Sequence, residues 1–426
     1  MLGPGAESSG GGRSTAFYSG AFCLIEFGVK NRNIVLGYVL IALNNALFWF
    51  APWLLFVYRY LDVRQATLLQ LIALIVKLFS EIPTGVLGDL LGKKKTLILA
   101  FVFGCLGNVF MSISSTFISF AIVYVLIALG SSFYSGTIDA FMYDSLVGNK
   151  QEKQYKKVLG RSHACQNLAT ALATLMGGFL FKLWGGLPFL VTGICQLIAL
   201  VLVLWTHEPK VDTFVFSVDN FLRQTVKGVK HLFSSKLSQI VWLLLLAGSF
   251  TVVAYEILDD VAVIEWGYDA TGISILYTVT MVLTVPLSLN YDKISRKINP
   301  EILIILETLL LGLNYVFGKK ISVVLWSVLF LVRVVTWVIQ KMAVTEIINE
   351  SVSSKIRTTT LSSYELLINI PFMLFGVVIG DYLKLLGGIG FGLYFSVILL
   401  ILLSIYVLVN LTKKKGLYKI EHSLRC

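Results

Sequence analysis

Charged residues are scarce in this sequence, and their scarcity sets the class of protein. Asp, Glu, Lys and Arg make up 14% of the 426 residues, whereas hydrophobic residues make up 57%. The mean hydropathy is +0.82. A soluble domain needs many more polar side chains to cover its surface. The composition therefore excludes a soluble globular protein and indicates an integral membrane protein.

Cysteine and histidine are also few, and they do not cluster. The cysteines are Cys23, Cys105, Cys165, Cys195 and Cys426, and the histidines are His163, His207, His231 and His422. No pair has the spacing of metal ligands, so we expect no metal site and no cofactor. Nucleophile, base and ligand residues do not gather at one membrane depth either, so the sequence does not indicate an enzyme.

The net charge of +11 does not form a patch for nucleic acid, because the basic residues are dispersed over short loops. One set of alternate loops carries most of the Lys and Arg residues. The opposite loops hold only Arg59, Arg64, Lys182, Lys319, Lys320 and Lys384. This bias predicts a multi-pass protein of the cell membrane with both termini in the cytoplasm.

Apolar runs between polar breaks predict twelve transmembrane helices, and therefore an all-α fold. The first six are 34–58, 66–90, 95–113, 117–145, 159–182 and 187–206, and the second six are 239–262, 270–290, 300–317, 321–347, 358–382 and 388–410. The predicted domains are a flexible Gly- and Ser-rich tail (1–33), a six-helix bundle (34–206), a cytoplasmic linker with a basic amphipathic helix (207–238), a second bundle (239–411) and a basic tail (412–426).

One turn between predicted helices 2 and 3 is unusually polar. The stretch SEIPTGVLGDLLGKKKTL places Gly85, Asp89, Gly92, Lys93 and Lys94 at the cytoplasmic end of helix 2. This spacing resembles the loop signature of the major facilitator superfamily, Gly-x-Leu-Ala-Asp-x-x-Gly-Arg-Lys, with Gly88 and Leu90 as departures. The corresponding place after helix 8 repeats part of the pattern as Asp292, Ser295, Arg296 and Lys297. Two matched halves are typical of a duplicated transporter.

The segments 135–146, 156–161 and 355–363 look like those of the drug-exporter-like branch of that superfamily. The resemblance implies two bundles around a cavity lined by helices 1, 2, 4, 5, 7, 8, 10 and 11. Interior prolines at Pro52, Pro83, Pro286 and Pro371 fall in helices of this lining set, where a bend is useful, whereas Pro188 and Pro300 fall at helix starts. One departure is that the centre of helix 4 (125–130) lacks the arginine that proton antiporters of this branch often carry.

Charged residues inside predicted helices are candidates for function, because each is costly in lipid. Asp139, Glu256, Glu365 and Glu81 are candidates for proton coupling. Structural roles stay open for these residues: Glu81 would form a fixed bridge with Lys77. Asp139 and Asp144 would pair with Arg161 or with the nearby lysines as an inter-helix latch. Glu307, on a predicted outer helix, is interpreted as a local structural contact.

Two further sets complete the predicted site. The substrate-cavity candidates are Asn44, Asn45, Trp49, Lys77, Tyr134, Gln166, Asn167, Tyr277, Arg333 and Asn369. The candidates for a conformational latch are Gly85, Asp89, Gly92, Lys93, Lys94, Asp144, Arg161, Asp292, Arg296 and Arg357. In this hypothesis Asp89 docks on the N-terminus of helix 11, near Thr358 to Thr360, and closes the cytoplasmic side.

The sequence thus favours a monomeric secondary active transporter that works by alternating access between lipid-embedded halves. The first interpretation is a proton-coupled exporter of amphipathic, drug-like molecules, because aromatic residues and a carboxylate suit organic cations. The alternative is a transporter of a polar metabolite or organic anion whose charge is held by Arg333 and Lys77. A non-transporting membrane sensor with the same fold also stays open.

Overall fold

The computed structural model describes residues 31–423, apart from residues 136, 210–222, 224–225, 227–228, 231, 234–239 and 352–356. At some helical positions only the backbone is described, namely 81–83, 85–90, 152, 156, 288–289, 292, 349–350, 357–359, 362 and 410–423. The described residues form helices and no strands.

The described part of the first half of the chain contains eight α-helices. They are α1 (Arg32–Asn44), α2 (Trp53–Val57), α3 (Val63–Leu91), α4 (Lys93–Met111), α5 (Phe117–Tyr134), α6 (Thr137–Val147), α7 (Tyr155–Leu183) and α8 (Leu187–Leu204). The boundaries carry sequence signals. Asp62 and Gln65 form a capping box at the start of α3, and Thr116 and Ser119 form another at the start of α5.

The second half follows the same plan. Its helices are α9 (Val241–Val253), α10 (Asp259–Glu265), α11 (Ala270–Leu289), α12 (Tyr291–Ser295), α13 (Pro300–Val316), α14 (Val323–Ser351) and α15 (Arg357–Ser423). A turn of π-helix, Ala254–Leu258, joins α9 to α10. As predicted, Pro188 and Pro300 lie in the first turns of their helices, and Pro286 and Pro371 lie inside theirs.

Predicted helices 1 and 4 are each interrupted. Helix 1 ends at Asn44 and resumes only at Trp53, so Pro52 caps a short second piece and does not bend a continuous helix. Helix 4 ends at Tyr134 and resumes at Thr137. The prediction missed the break in helix 1 because the intervening residues are largely apolar, and an apolar run does not reveal where backbone hydrogen bonds stop. The break in helix 4 does carry a signal, Ser135 followed by Gly136.

The described structure begins inside the predicted N-terminal tail. Residues 31–33, assigned to the tail, belong to the folded part: the Asn31 side-chain amide donates to the Ser145 carbonyl over 2.7 Å, and the Asn33 amide donates to the His207 carbonyl over 2.9 Å. Residues 1–30 and most of the predicted linker helix lie outside the described residues. Helices 11 and 12 form α15, which is interrupted at Gly387, where φ is +72°.

Nine helices in the described part of the chain are long and apolar enough to cross a membrane, by length and composition. Their exposed surface is rich in large apolar side chains such as Phe79, Ile118, Leu183 and Leu385. A soluble protein does not leave that much apolar area in water, whereas lipid solvates it.

The first and second halves of the chain meet along two helix pairs: α3 packs against α15, and α7 packs against α11. Small residues allow these approaches. A Cβ atom on Gly178 of α7 would lie 2.4 Å from the Ala270 carbonyl oxygen of α11, which is closer than atoms pack. The two backbones therefore touch at this point.

Three ion pairs reinforce the same end of both helix pairs. Arg64 pairs with Asp381, Lys384 pairs with Asp62, and Lys182 pairs with Asp269, each over 2.7 Å. Each pair joins a residue of the first half to a residue of the second half. We call the end of the molecule that carries these six residues the ion-paired face.

Candidate functional site

A central cavity of about 740 Å³ lies between the two halves of the chain. Its wall takes residues from the 45–52 segment, α2, α3, α5 and α7 in the first half. In the second half the wall is formed by the π-helical turn, α10, α11 and α14. The break between α1 and α2 lies at this cavity, because residues of the 45–52 segment line it. Non-helical backbone inside a membrane protein is tolerated where it lines a cavity or is buried in protein.

Many of the predicted residues lie on this wall. They are Asn45, Trp49, Lys77, Gln166, Asn167, Glu256, Tyr277 and Arg333. Predicted candidates that are not among the lining residues are Asn44, Tyr134, Asn369, Asp139 and Glu365. Tyr134 packs edge-on against Phe101, and the Asn369 amide donates to the Glu365 carbonyl of its own helix.

Two adjacent carboxylates that the sequence analysis passed over occupy the centre of the site. Asp259 and Asp260 begin α10, are 5% and 8% exposed, and line the cavity. Both lie inside predicted helix 239–262. Charge inside a predicted helix, the signal that marks Glu256 as a candidate, therefore marks these two residues as well.

Asp260 connects the two halves of the chain. One of its oxygens accepts a hydrogen bond from the Trp53 indole N–H over 2.9 Å, and the other accepts one from the Tyr277 hydroxyl over 2.6 Å. Trp53 belongs to α2 of the first half, whereas Tyr277 belongs to α11 of the second half. A buried carboxylate held by two neutral donors is satisfied without a cation.

Asp259 faces the other way and pairs with Arg333 of α14. The Arg333 Nη2 lies 2.5 Å from Asp259 Oδ2, and the Tyr315 hydroxyl donates to the second oxygen of Asp259. Arg333 is only 2% exposed, so the pair is buried and locally neutral. The sequence placed Arg333 in the cavity, and the structure adds that a fixed carboxylate already occupies one end of its guanidinium group.

Three other charged groups reach the cavity without an ion-pair partner in the described part of the chain. Lys77 lies on α3, and Glu256 lies on the π-helical turn. Lys341 lies on α14 with its ammonium group over the Trp337 ring. The Gln70 amide donates to the Glu256 backbone carbonyl over 3.1 Å, which is another hydrogen bond between the halves. The side chain of Glu81 lies outside the described residues, so its pairing with Lys77 stays a prediction.

An aromatic surface surrounds these polar groups. Trp49 stacks on Phe189, Tyr255 stacks on Trp337, and Phe50 meets Tyr277 edge-on. Such rings supply apolar contact for a ligand and a negative face for a cation. The cavity therefore combines apolar area with charges of both signs.

The predicted latch lies at the opposite end from the ion-paired face, and only part of it is described. The Glu208 carboxylate accepts from the backbone N–H groups of Lys93 and Lys94 over 2.6 and 2.9 Å, and the Lys94 ammonium donates to the Leu204 and Thr206 carbonyls. These contacts keep the turn after α3, including Gly92, on the first half of the chain.

The remaining latch residues divide into two groups. Arg161 lies on α7 and forms a hydrogen bond with the Tyr38 hydroxyl. Asp144 and Arg296 also have interaction partners. The side chains of Asp89, Asp292 and Arg357 and the environment of Gly85 lie outside the described residues. Docking of Asp89 on the start of α15 thus stays a prediction. No cluster of His, Cys, Asp and Glu in the described part of the chain has the arrangement of a metal site.

Comparison with known proteins places this geometry in a family. The sequence profile of the Major Facilitator Superfamily matches residues 34–376. A crystal structure of a mutant of the nucleoside transporter NupG superimposes with a TM-score of 0.69 and 13% sequence identity, over 88% of this chain and 99% of that one. No curated protein sequence matches at a significant level.

A second group of similar structures consists of POT family transporters. One, in complex with 5-aminolevulinic acid, superimposes with a TM-score of 0.67 and 13% identity, over 89% of this chain and 96% of that one. An auto inhibited POT family peptide transporter gives a TM-score of 0.65 and 13% identity, over 88% of this chain and 96% of that one. At these identities the similarity establishes the fold.

Proposed function

Because the chain belongs to the Major Facilitator Superfamily, we propose that it is a secondary active transporter that works by alternating access. Residues 34–206 and 239–411 act as the two moving halves, and the central cavity holds the substrate. The observation that carries this proposal is a cavity that takes its wall from both halves and contains charged groups of both signs. Such groups are costly in a membrane protein unless they serve a ligand or an ion.

The substrate that this wall favours is a small polar metabolite with at least one negatively charged group. Lys77 and Lys341 are the cavity cations without an ion-pair partner in the described residues, since Arg333 is already paired with Asp259. A carboxylate or phosphate between the two lysines would neutralise them. Glu256 would then receive a cationic or hydrogen-bond-donating end of the same molecule. This develops the second interpretation of the sequence, with Lys341 added and Arg333 removed from direct binding.

Protons are the coupling ion in this proposal, and Glu256 and Asp260 are their carriers. Both carboxylates lie on the cavity wall. The Asp260 carboxylate accepts from Trp53 of the first half, and the Glu256 backbone carbonyl accepts from Gln70 of the first half. Movement of one half relative to the other would change the surroundings of both carboxylates, and with them the affinity of each for a proton. Asp139 and Glu365, the other two predicted carriers that are described, are exposed side chains away from the wall.

Export of amphipathic organic cations is the second candidate function. The observation that favours it is the aromatic surface formed by Trp49, Tyr255 and Trp337 beside Glu256. In this case the lysines would repel the substrate and would have to be shielded by Glu256 or by solvent.

A flux assay with purified protein in lipid vesicles tests the proposal. We would compare an organic anion, a zwitterionic dipeptide, a nucleoside and a lipophilic cation, each with and without an inward or outward proton gradient. We expect saturable, gradient-dependent flux of the anion or zwitterion, and at least a tenfold loss of that flux in Lys77→Gln and Lys341→Gln, about 1.4 kcal/mol of binding.

Lys320→Gln is the matched control for this assay, because Lys320 is an exposed lysine in the loop after α13 and does not line the cavity. Its flux should equal that of the unmodified protein. Flux of the lipophilic cation alone, lost in Glu256→Gln and retained in the two lysine variants, would establish the second candidate. Absence of flux for every compound would contradict transport and favour a sensor.

A further inference from the structure

Glu307 is a buried carboxylate on α13 that no part of the proposed transport cycle uses. It is 1% exposed, and neither of its oxygens has a hydrogen-bond partner among the described residues. It does not line the cavity. An ionised carboxylate in such a place is costly unless a cation compensates it, whereas a protonated one is neutral and needs no partner charge.

The cation that acts on Glu307 is Arg333. The two groups interact electrostatically, and Asp259 lies within the same field. Arg333 has already committed its Nη2 group to Asp259, but its buried Nε–H group has no partner in the described structure. The guanidinium group therefore retains one donor that a second carboxylate can take.

Charge counting decides which protonation state fits this arrangement. Two ionised carboxylates around one guanidinium group would leave a net negative charge beside Glu307, which is itself fully buried. One ionised carboxylate gives a neutral cluster. Asp259 is the ionised member because both of its oxygens accept hydrogen bonds, from Arg333 and from the Tyr315 hydroxyl. Glu307 then carries the proton.

The other groups near Glu307 do not change this count. The helices packed against α13 are α9, α14 and α15, and α10 contributes Asp259. The titratable groups that interact electrostatically with Glu307 are Arg333, Asp259 and the Tyr364 hydroxyl of α15. The Tyr364 hydroxyl donates to the Leu244 carbonyl. Tyrosine hydroxyls are neutral at physiological pH, so Arg333 is the cation that decides the state of Glu307.

We propose that Glu307 is a proton-binding residue that shares Arg333 with Asp259. In the conformation described here Arg333 pairs with Asp259, and Glu307 holds a proton. When the Asp259–Arg333 pair opens, the free guanidinium group pairs with Glu307, and the Glu307 proton passes to the carboxylate of Asp259. One O–H bond breaks and one forms, the cluster keeps its charge, and Asp259, which lines the cavity, then exchanges the proton with cavity water.

The structure supplies a place where such a pair can open. Asp259 follows directly on the π-helical turn Ala254–Leu258, so α10 can change its rotation relative to α14 at a point where the helical hydrogen bonding is already irregular. Only this movement rests on the proposed alternating-access function, since the shared Arg333 is a property of the static arrangement.

Infrared spectroscopy of the purified protein in lipid nanodiscs, as a function of pH, tests the proposal directly because it detects the carbonyl stretch of a protonated carboxylic acid. We expect the difference spectrum between the unmodified protein and Glu307→Gln at neutral pH to contain a buried carboxylic acid band, the Glu307 band, apart from bands of the proposed proton carriers Glu256 and Asp260. Glu301→Gln is the matched control on the same helix, because the Glu301 carboxylate accepts from the Tyr406 hydroxyl and has a partner of its own. That variant should retain the band.

The Asp259→Asn variant distinguishes a shared Arg333 from a purely structural role of Glu307, because a structural role predicts no change of the band in this variant. It removes the competing carboxylate, so Arg333 should pair with Glu307, and the band should lose most of its intensity although Glu307 is still present. Asp259→Glu should restore it and shows that the site still folds. A difference spectrum that lacks the Glu307 band, or a Glu307 band that Asp259→Asn leaves unchanged, overturns the proposal. A protein that shows these spectra but transports nothing contradicts the proposed function and leaves the proton site intact.

Discussion

The Lys182 ammonium group lies 2.7 Å from the Asp269 carboxylate and ties the end of α7 to the chain that enters α11. A few residues further along the same two helices, Gly178 meets Ala270 backbone to backbone. In the proposed alternating-access cycle, the pair would stabilise the state that is closed at the ion-paired face. Opening the cavity at this face would require that Lys182 and Asp269 separate.

Asp269→Asn should shift the protein toward the state that is open at the ion-paired face. The reporter is a cysteine at Ser274, which is fully buried beside Gly178, in a background without the five native cysteines. An exposed ion pair contributes about 0.2–1 kcal/mol, so labelling at this position should accelerate by a factor of about 1.4 to 5. Lys182→Gln should match Asp269→Asn, whereas Lys320→Gln should leave the rate unchanged. Equal rates in all three variants would exclude the ion pair as a closing contact.

The pH dependence of this face follows from two carboxylates that lie outside the membrane-spanning segments. The hydrogen bond from Lys182 lowers the pKa of Asp269 below its ordinary value. Burial raises the pKa of Asp62, but the hydrogen bonds from Lys384 and from the Gln65 backbone outweigh it, and the net pKa is also lowered. A lowered pKa gives stabilisation that is complete above the ordinary aspartate pKa and is lost only as the pH falls through the lowered one.

Labelling at Ser274→Cys through the ion-paired face should therefore be independent of pH between about pH 8 and about pH 5, a range in which both aspartates stay ionised. The measurement is the labelling rate corrected for the ionisation of the thiol, with a solvent-exposed cysteine as reference. A corrected rate that rises over this range would show that protonation opens the face by another route, such as the cavity carboxylates.

The sequence predicted most of the helices and the family resemblance, because lipid requires long apolar segments and loop charges mark their ends. It did not predict the break between Asn44 and Trp53, since the intervening residues are as apolar as a helix interior. The sequence marks this break only by the Asn44–Asn45 pair, where α1 ends, and by Pro52, directly before α2. Asn45 donates to the Ile41 carbonyl at the end of α1, as an amide at a helix terminus does.

Pairing across helices was beyond the reach of the sequence. Arg333 and Asp259 are 74 residues apart, and their contact depends on how α10 and α14 are rotated. Likewise, Glu307 was interpreted as a local contact because it lies on an outer helix, but periodicity does not tell which way such a side chain faces in a chain that is apolar on all sides. The residue types thus predicted intramembrane charge, and packing decided which charges meet.

Trp53→Phe should destabilise the protein more than Trp49→Phe, although both tryptophans line the cavity. The Trp53 indole donates to Asp260, whereas the Trp49 indole N–H has no partner among the described residues. Loss of a donor to a buried carboxylate costs about 1–3 kcal/mol, so thermal unfolding in detergent should begin several degrees lower for Trp53→Phe. Similar unfolding temperatures for the two variants would show that the hydrogen bond between the halves adds no stability.

Glu208→Ala should loosen the first turn of α4 next to the predicted latch. The Glu208 carboxylate receives two backbone N–H groups at this helix start, where the helix dipole also favours a negative charge. Removal of such a cap costs about 1 kcal/mol, which corresponds to about fivefold faster hydrogen exchange at the Lys93 and Lys94 amides. Lys95→Gln, a change of an exposed charge in the same turn, should leave this exchange unaltered. If Glu208→Ala also leaves it unaltered, water replaces the carboxylate at no cost, and the chain after α8 does not hold the latch turn in place.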